Sequence, residues 1–523
     1  MSLKNTLQLG KEVLKKYFLW EEKKPKLFLT IPRLPYILRL ANRNRPARAR
    51  DKQNDKSDGG HRMQNSENKS SELQRKQSTG ILYTLIKIIT VVQPSEGVTA
   101  FLLTFNIFLL MAAYYIIKPV REAFILAGKG AEIKSYLSAA IAVLLVFAVK
   151  AFSAISSRIP RQKLITWVTL FFISNLVIFY SLSFTEIDLG TMGIIFFLWV
   201  GVFNVMVVAQ FWGFANDIYS EESGKRLFPL IAFGASFGSF SGSAIAGWLV
   251  KPLGLYQMML VTGGMLGICI VLTLTIHNRE IARAKKDVAA AGPIEAKPEL
   301  TQEKSLKKGG GFRLIFKKKY LLYLAFFVLL LNFINTNGEF ILGEYVARVA
   351  PEVVEAGESG GLDVSEYIGV FMAGFFRWAN LLGLLIQLFL VSRIFKWIGV
   401  RGALFVLPFI ALGGYFLIAA GATLMLVKWV KATENGTDYS LMNTTRHSLW
   451  LVTTREEKYK AQAAIKTFFH RSGDVLSSLI VFLGVHYLAF NTAKWAAFNV
   501  ALCLIWIILG ILIVKEHKKL SSA

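Results

Sequence analysis

Cysteine, histidine and acidic side chains are all scarce in this chain, and each scarcity closes off a class of protein. The 523 residues hold two cysteines, Cys269 and Cys503, both inside apolar runs. A secreted scaffold stapled by disulfides is therefore excluded. The six histidines form no HExxH, and no CxxC or GxSxG occurs, so neither a zinc centre nor a nucleophile elbow is expected. GKG at 128–130 and SGKR at 223–226 do not complete GxxxxGK[ST], which excludes a P-loop ATPase domain. No catalytic constellation remains, and no enzyme activity, metal or cofactor is expected. Asp and Glu number 34 against 60 Lys and Arg, a net charge of +26. Yet 54% of residues are hydrophobic and the mean hydropathy is +0.46. A pI near 9.9 would suit a nucleic-acid binder, but little of the chain lies outside apolar segments, so no nucleic-acid partner is expected. High hydropathy and high basicity are reconciled by a multi-pass membrane protein with basic segments on the cytoplasmic side.

The charge is concentrated. Residues 1–90 carry 20 Lys/Arg against 8 Asp/Glu, a net of +12. The segment 278–319 carries 12 against 5, a net of +7. Residues 41–79 have almost no large apolar side chains and cannot bury enough surface to order themselves. Residues 1–40 lack an uninterrupted apolar core and do not read as a signal peptide. Ile81–Val92 is too short to span a bilayer, which takes roughly 20 apolar residues. Four parts follow: a basic, largely disordered extension (1–80), an N-terminal six-helix half (81–277), a cytoplasmic basic loop (278–319), and a C-terminal six-helix half with a short tail (320–523).

Six apolar runs precede the basic loop, near 98–118, 136–156, 163–184, 191–215, 228–250 and 257–276. Six follow it, near 320–342, 366–392, 402–419, 422–446, 463–489 and 493–514. The short connections alternate between basic (SRIPRQK at 157–163, SRIFKWIGVR at 392–401) and acidic or neutral (FTEIDL at 184–189). The positive-inside rule then puts both termini and the central loop in the cytoplasm, which requires an even number of crossings. An all-α fold of twelve helices in an inner membrane is expected. The SRI turns after the second and eighth runs suggest a two-fold repeat, with a substrate site between the halves near the midplane. In layout this resembles a major-facilitator-type transporter.

A charge at mid-bilayer costs about 2.5–3.5 kcal/mol on insertion scales, so such residues face a partner or a wet cavity. In the tenth run, Lys428, Lys431, Asn435, Asp438, Met442 and Arg446 recur at spacings of 3, 4, 3, 4 and 4. On a regular helix they fall within an arc of roughly 80°. They form either an ion-pair network, Lys431 with Asp438 or Asn435, or a cavity lining, and the two are compatible. The seventh run places Asn332, Asn335 and Glu339 on one face, with Glu344 near its outer end. Arg377 lies deep in the eighth and either pairs with Glu339 or binds an anion. The first run ends with Lys118, Arg121 and Glu122, and Pro119 is expected to break or kink it there. Lys466, His470, Arg471 and Asp474 mark the cytoplasmic start of the eleventh. Across the bundle the deep cations outnumber the deep acids, which suits an anionic solute. The glycines of 229–247 fit close helix packing.

Three stretches carry a closer likeness: AYYIIKPVREAFIL (113–126), FWGFANDIYSEESGKRLFPLIAFGAS (211–236) and WVKATENGTDYSLMNTTRHSLWLVTTREEKYKAQAAIKTFFHRSGDVLSS (429–478). They resemble the nucleotide transporter family typified by the ATP/ADP translocases of intracellular bacteria and plastids, from about residue 85 onward. The resemblance implies a twelve-helix major-facilitator-like fold and exchange of ATP for ADP, or nucleotide import with protons, without hydrolysis. It implies substrate contacts at Arg121, followed by Glu122, at Glu339, and at Arg446. The family's fourth-helix acid has no match, for Val200 and its neighbours stand there with only Asn204 and Gln210 polar. The chain resembles a divergent member. Substrate-binding residues are thus expected at Arg121, Glu122, Asn335, Glu339, Arg377, Lys428, Lys431, Asn435, Asp438 and Arg446, with a nucleotide and the bilayer as partners. No oligomer is required. A transporter of another organic phosphate or carboxylate is the alternative, and a membrane-embedded sensor or enzyme a remote one.

Overall fold

A computed structural model describes residues 96–156, 159–291, 310–421 and 423–522. The N-terminal extension, the Ile81–Val92 segment and the middle of the central loop lie outside the described residues, as do Ser157 and Arg158 of the first SRI turn. The described residues form helices joined by short turns and loops, with no strand among them. In the first half, α1 is Gly97–Gly128, α2 Gly130–Ser156, α3 Arg161–Leu182, α4 Leu189–Ile218 and α5 Glu221–Ala291. In the second, α6 is Gly311–Lys317, α7 Lys319–Glu355, α8 Val364–Leu385, α9 Val391–Ala403, α10 Val406–Ala419, α11 Leu424–Thr437, α12 Asn443–Leu449, α13 Arg455–Ala464, α14 His470–His486 and α15 Thr492–Ser522. Three π-turns, Ile386–Leu390, Asp438–Met442 and Ile465–Phe469, join α8 to α9, α11 to α12 and α13 to α14.

Nine helices among the described residues are long and apolar enough to cross a membrane. The count of twelve is reached only by dividing and adding. The longest apolar helix, Glu222–Arg283, breaks at Gly254 (φ 76°), a left-handed backbone that favours glycine, and makes two crossings. Val406–Ala419 is apolar but short, and α11 to α12 carries too much charge to register as apolar. Gly399 (φ 67°) likewise ends the eighth crossing inside α9. The predicted loop from 278 is in part helix, since α5 continues to Ala291.

Pro119 does not end the first helix. It is buried inside α1, which continues to Gly128, so Lys118, Arg121 and Glu122 sit within a helix that packs on all sides. Membrane helices tolerate proline where neighbouring helices surround the backbone. The 229–247 glycines do admit a close neighbour. A Cβ on Gly238 would lie 2.3 Å from the Phe108 carbonyl oxygen, and one on Gly242 2.4 Å from that of Ala112. So α1 and α5 touch backbone to backbone.

Each half is tied at the end where the described chain begins and finishes. Arg226 pairs with Glu96 at 3.0 Å, joining the start of α5 to the start of α1. Lys318 pairs with Glu457, joining the start of α7 to that of α13. These are corresponding helices of the two halves, with the charges exchanged. At the opposite end, Asp188 caps α4. The backbone N–H groups of Thr191 and Gly190 hold its carboxyl below the usual carboxylate range.

The halves meet along α2 with α14 and along α5 with α8. Ser478 donates to the Ser135 carbonyl at 2.7 Å, and His486 Nε2 lies 2.7 Å from Glu132 Oε1. Asn380 donates to the Ser239 carbonyl and to Ser243 Oγ, both at 3.2 Å. These ties run from mid-depth to the end away from the termini.

Candidate functional site

Between the halves lies a cavity of about 190 Å³. The first half contributes Tyr114 and Arg121 from α1, Lys134 and Ser138 from α2, and Phe197, Gly201 and Asn204 from α4. The second contributes Asn332, Asn335, Thr336 and Glu339 from α7 and His470, Arg471 and Asp474 from α14. The helical spacing of Asn332, Asn335 and Glu339 thus does what the sequence suggested, turning all three to one wall.

The first-half wall is built on Glu122. Its carboxylate is 1% exposed and is gripped from both sides, by Arg121 of its own helix and by Lys134 of α2 at 2.7 Å. Arg121 also lies over the Phe197 ring, 4.4 Å from the centroid. Both cations reach the cavity while the acid stays behind them. A buried carboxylate is tolerated because each oxygen meets a cation. In the second-half wall Asp474 plays the corresponding part. It accepts from Asn332 at 2.8 Å, from Thr336 at 2.9 Å and from Arg471 at 3.2 Å. Gly473 allows this, for a Cβ there would lie 2.8 Å from the Phe333 nitrogen, so α14 presses directly on α7.

The remaining predicted residues are placed elsewhere. Lys431 is fully buried on the far side of α7. It donates to Asn335 Oδ1 at 2.9 Å and to Glu434 at 3.1 Å, while Tyr415 donates to the same Glu434 oxygen at 2.8 Å. Its partner is therefore Glu434, three residues along the same helix, rather than Asp438 or Asn435. Gly338 makes the room, since its Cβ would fall 2.0 Å from the Tyr415 oxygen. Asn435 is buried, and neither of its side-chain amide atoms meets a hydrogen-bond partner among the described residues. Asp438 pairs with Arg446 at 3.4 Å, both half-buried, and Lys466 lies within electrostatic range of Arg446. Arg377 is exposed and Lys428 half-buried, and neither lines the cavity. The single polar stripe expected along the tenth run is thus divided. The π-turn at Asp438–Met442 shifts the later residues around the helix axis.

Two further expectations are revised. Lys466, His470, Arg471 and Asp474 do more than mark the cytoplasmic boundary of the eleventh run. The helix runs on from Arg455 through a π-turn to His486, which places His470, Arg471 and Asp474 at the cavity. The cavity wall is also closer to charge balance than the whole bundle, with Arg121, Lys134 and Arg471 set against Glu122, Glu339 and Asp474. Lys134 was missed because it lies five residues into α2, where a lysine reads as a boundary charge. Asn204, in place of an acid, is the fourth-helix polar residue that reaches the cavity.

The comparisons agree with this architecture. Nucleoside transporter NupG superposes with a TM-score of 0.54 at 12% identity, covering 79% of this chain and 98% of that one. A POT family transporter in complex with 5-aminolevulinic acid gives 0.53 at 13% identity, covering 80% and 96%. At such identities the likeness establishes the fold, which is of the major-facilitator type. ADP,ATP carrier protein 1 of Chlamydia muridarum is 28% identical over 314 residues, 53% of this chain and 55% of that protein. ADP,ATP carrier protein 1 of Chlamydia pneumoniae is 24% identical over 314 residues, 53% and 57%. The chain spans about half the length of the curated relatives it matches. The family described as TLC ATP/ADP transporter matches residues 191–519. That match covers well over half of the sequence and includes both walls' α4, α7 and α14 residues, and the chain belongs to the TLC ATP/ADP transporter family.

Proposed function

We propose that this protein carries nucleotides across a membrane, by ATP/ADP exchange or by nucleotide uptake, through alternating access of its two halves. One observation carries the reading: a polar cavity between the halves in which Arg121, Lys134 and Arg471 are each held by a carboxylate. An incoming phosphate replaces hydration with these preorganised cations, and an arginine fork fits phosphate oxygens in pairs. The concentration of inter-half ties toward one end supports alternating access, because such ties can open while the other end closes. Arg446 and Lys466, on the terminus side of the cavity, supply a basic approach to it. The names of the Chlamydia relatives support the substrate class. The basic connections support an inner-membrane location with both termini cytoplasmic.

The test is uptake and counter-exchange of labelled ATP, ADP and GTP in cells that express the chain. Absence of both with every nucleotide sinks the substrate claim. One observation favours a second reading. The cavity's 190 Å³ is below the range of about 300–1,000 Å³ usual for drug-sized ligands, which suits a smaller organic phosphate or carboxylate. Competition by unlabelled anions in the same assay separates the two.

A further inference from the structure

We propose that Arg377 and Lys428 bind the phosphate group of a membrane phospholipid, at the bilayer-facing seam between α8 and α11. The faces of α8 give the direction. Gly369, Ala373, Phe376 and Asn380, spaced 4, 3 and 4, turn toward α1 and α5. A Cβ on Gly369 would lie 3.6 Å from that of Ala123, one on Gly247 of α5 would lie 3.6 Å from Ala373 Cβ, the Phe376 ring meets Tyr115 at 6.1 Å, and Asn380 donates to Ser239 and Ser243. Arg377 is about 100° further round from Phe376. Its edge continues through Leu385 and Leu388, 42% and 47% exposed. Exposed leucines on a membrane bundle face lipid, and Arg377 is exposed alongside them.

Lys428 comes to the same place from α11. Its Nζ lies 4.7 Å from the Phe371 ring centroid and passes over Gly374, where a Cβ would stand 3.1 Å away. Arg377 and Lys428 act on each other electrostatically, and neither has a carboxylate within ion-pair distance among the described residues. Two like charges side by side repel, and an anion between them removes the repulsion. The level of Lys428 fits a headgroup. Lys428 is the fifth residue of α11, roughly one turn from its start. Trp378 and Trp429 pack at 5.1 Å beside the pair, as in an interfacial aromatic belt. Exposed Met425, Leu385 and Leu388 offer an apolar bed for acyl chains, which a free phosphate does not need.

The probe is phosphatidylglycerol. The full chain is reconstituted in nanodiscs of phosphatidylcholine with or without it, and retained lipid is counted by native mass spectrometry. Phosphatidylglycerol is expected to be retained and to raise the unfolding temperature. Arg377→Gln with Lys428→Gln is expected to lose both effects, with lipid affinity down roughly tenfold or more. Arg377→Lys and the cavity variant Arg121→Gln should keep them. Unchanged retention in the double variant overturns the proposal. So does an equal stabilisation by inorganic phosphate alone that depends on the same two residues, since the site would then serve a soluble anion. Should the double variant not fold, Lys428→Gln alone decides: undiminished lipid retention overturns the proposal. Because the readout is lipid, failure of nucleotide transport leaves it standing.

Discussion

Replacing Lys134 by methionine tests how the cavity's first wall is held. In the native protein the Glu122 carboxylate is 1% exposed, with Arg121 on one oxygen and Lys134 Nζ 2.7 Å from the other. The latter distance is that of a charge-assisted hydrogen bond. Lys134→Met keeps the apolar stem and removes the charge, leaving one carboxylate oxygen buried and unpaired. Stripping a buried charge of its whole partner set costs about 3–5 kcal/mol. A single hydrogen bond to a charged group is worth about 1.5–3 kcal/mol. Arg121 remains in place, so the smaller figure applies and a loss of about 2 kcal/mol is expected. Adding Glu122→Gln removes the stranded charge and should restore about half of that loss. Denaturant or thermal unfolding of all four proteins of the cycle, in one lipid, gives the coupling directly. If Lys134→Met unfolds like the native protein, or if the double variant is less stable than the single, the wall is not built on this pair. Transport need not recover in the double variant, since a cavity cation is still missing.

Other outcomes follow from the same geometry. Arg121→Ala and Arg446→Ala should each impair nucleotide uptake while membrane insertion, followed by surface labelling or fractionation, stays intact; normal uptake in both variants would mean that the site lies elsewhere. Gly238→Ala forces a methyl to within 2.3 Å of the Phe108 carbonyl oxygen and should destabilise by about 1–3 kcal/mol, read as a lowered unfolding midpoint. Lys431→Met should cost about 3–5 kcal/mol because it leaves Glu434 buried with only Tyr415 and no cation, and Lys431→Met with Glu434→Leu should recover most of it. Protein that survives the Lys431→Met change should bind substrate normally in a ligand-induced stabilisation assay, because Lys431 does not reach the cavity.

Composition and periodicity carried the helical membrane architecture, the division into halves and one cavity wall. Asn332, Asn335 and Glu339 were legible because an unbroken helix converts spacings of three and four into a face, and α7 is unbroken. The same rule misled for Lys428 to Arg446, where a π-turn resets the face of the later residues. His470 to Asp474 read as boundary charges, because spacing does not show that another π-turn joins two short helices into one. Spacing along one helix also says nothing of which neighbour arrives. Glu122 and Lys134 are on different helices, and so are Asp474 and its donors Asn332 and Thr336.

The amino-acid sequence by itself determined that this chain enters a bilayer, since hydropathy acts locally on each segment. It also determined the family, through motifs that need no coordinates to be read. Only the tertiary structure decided which charges serve a cavity, which are spent on one another, and which look outward. A buried charge is stable only beside a partner, and partners here come from helices far apart in the chain.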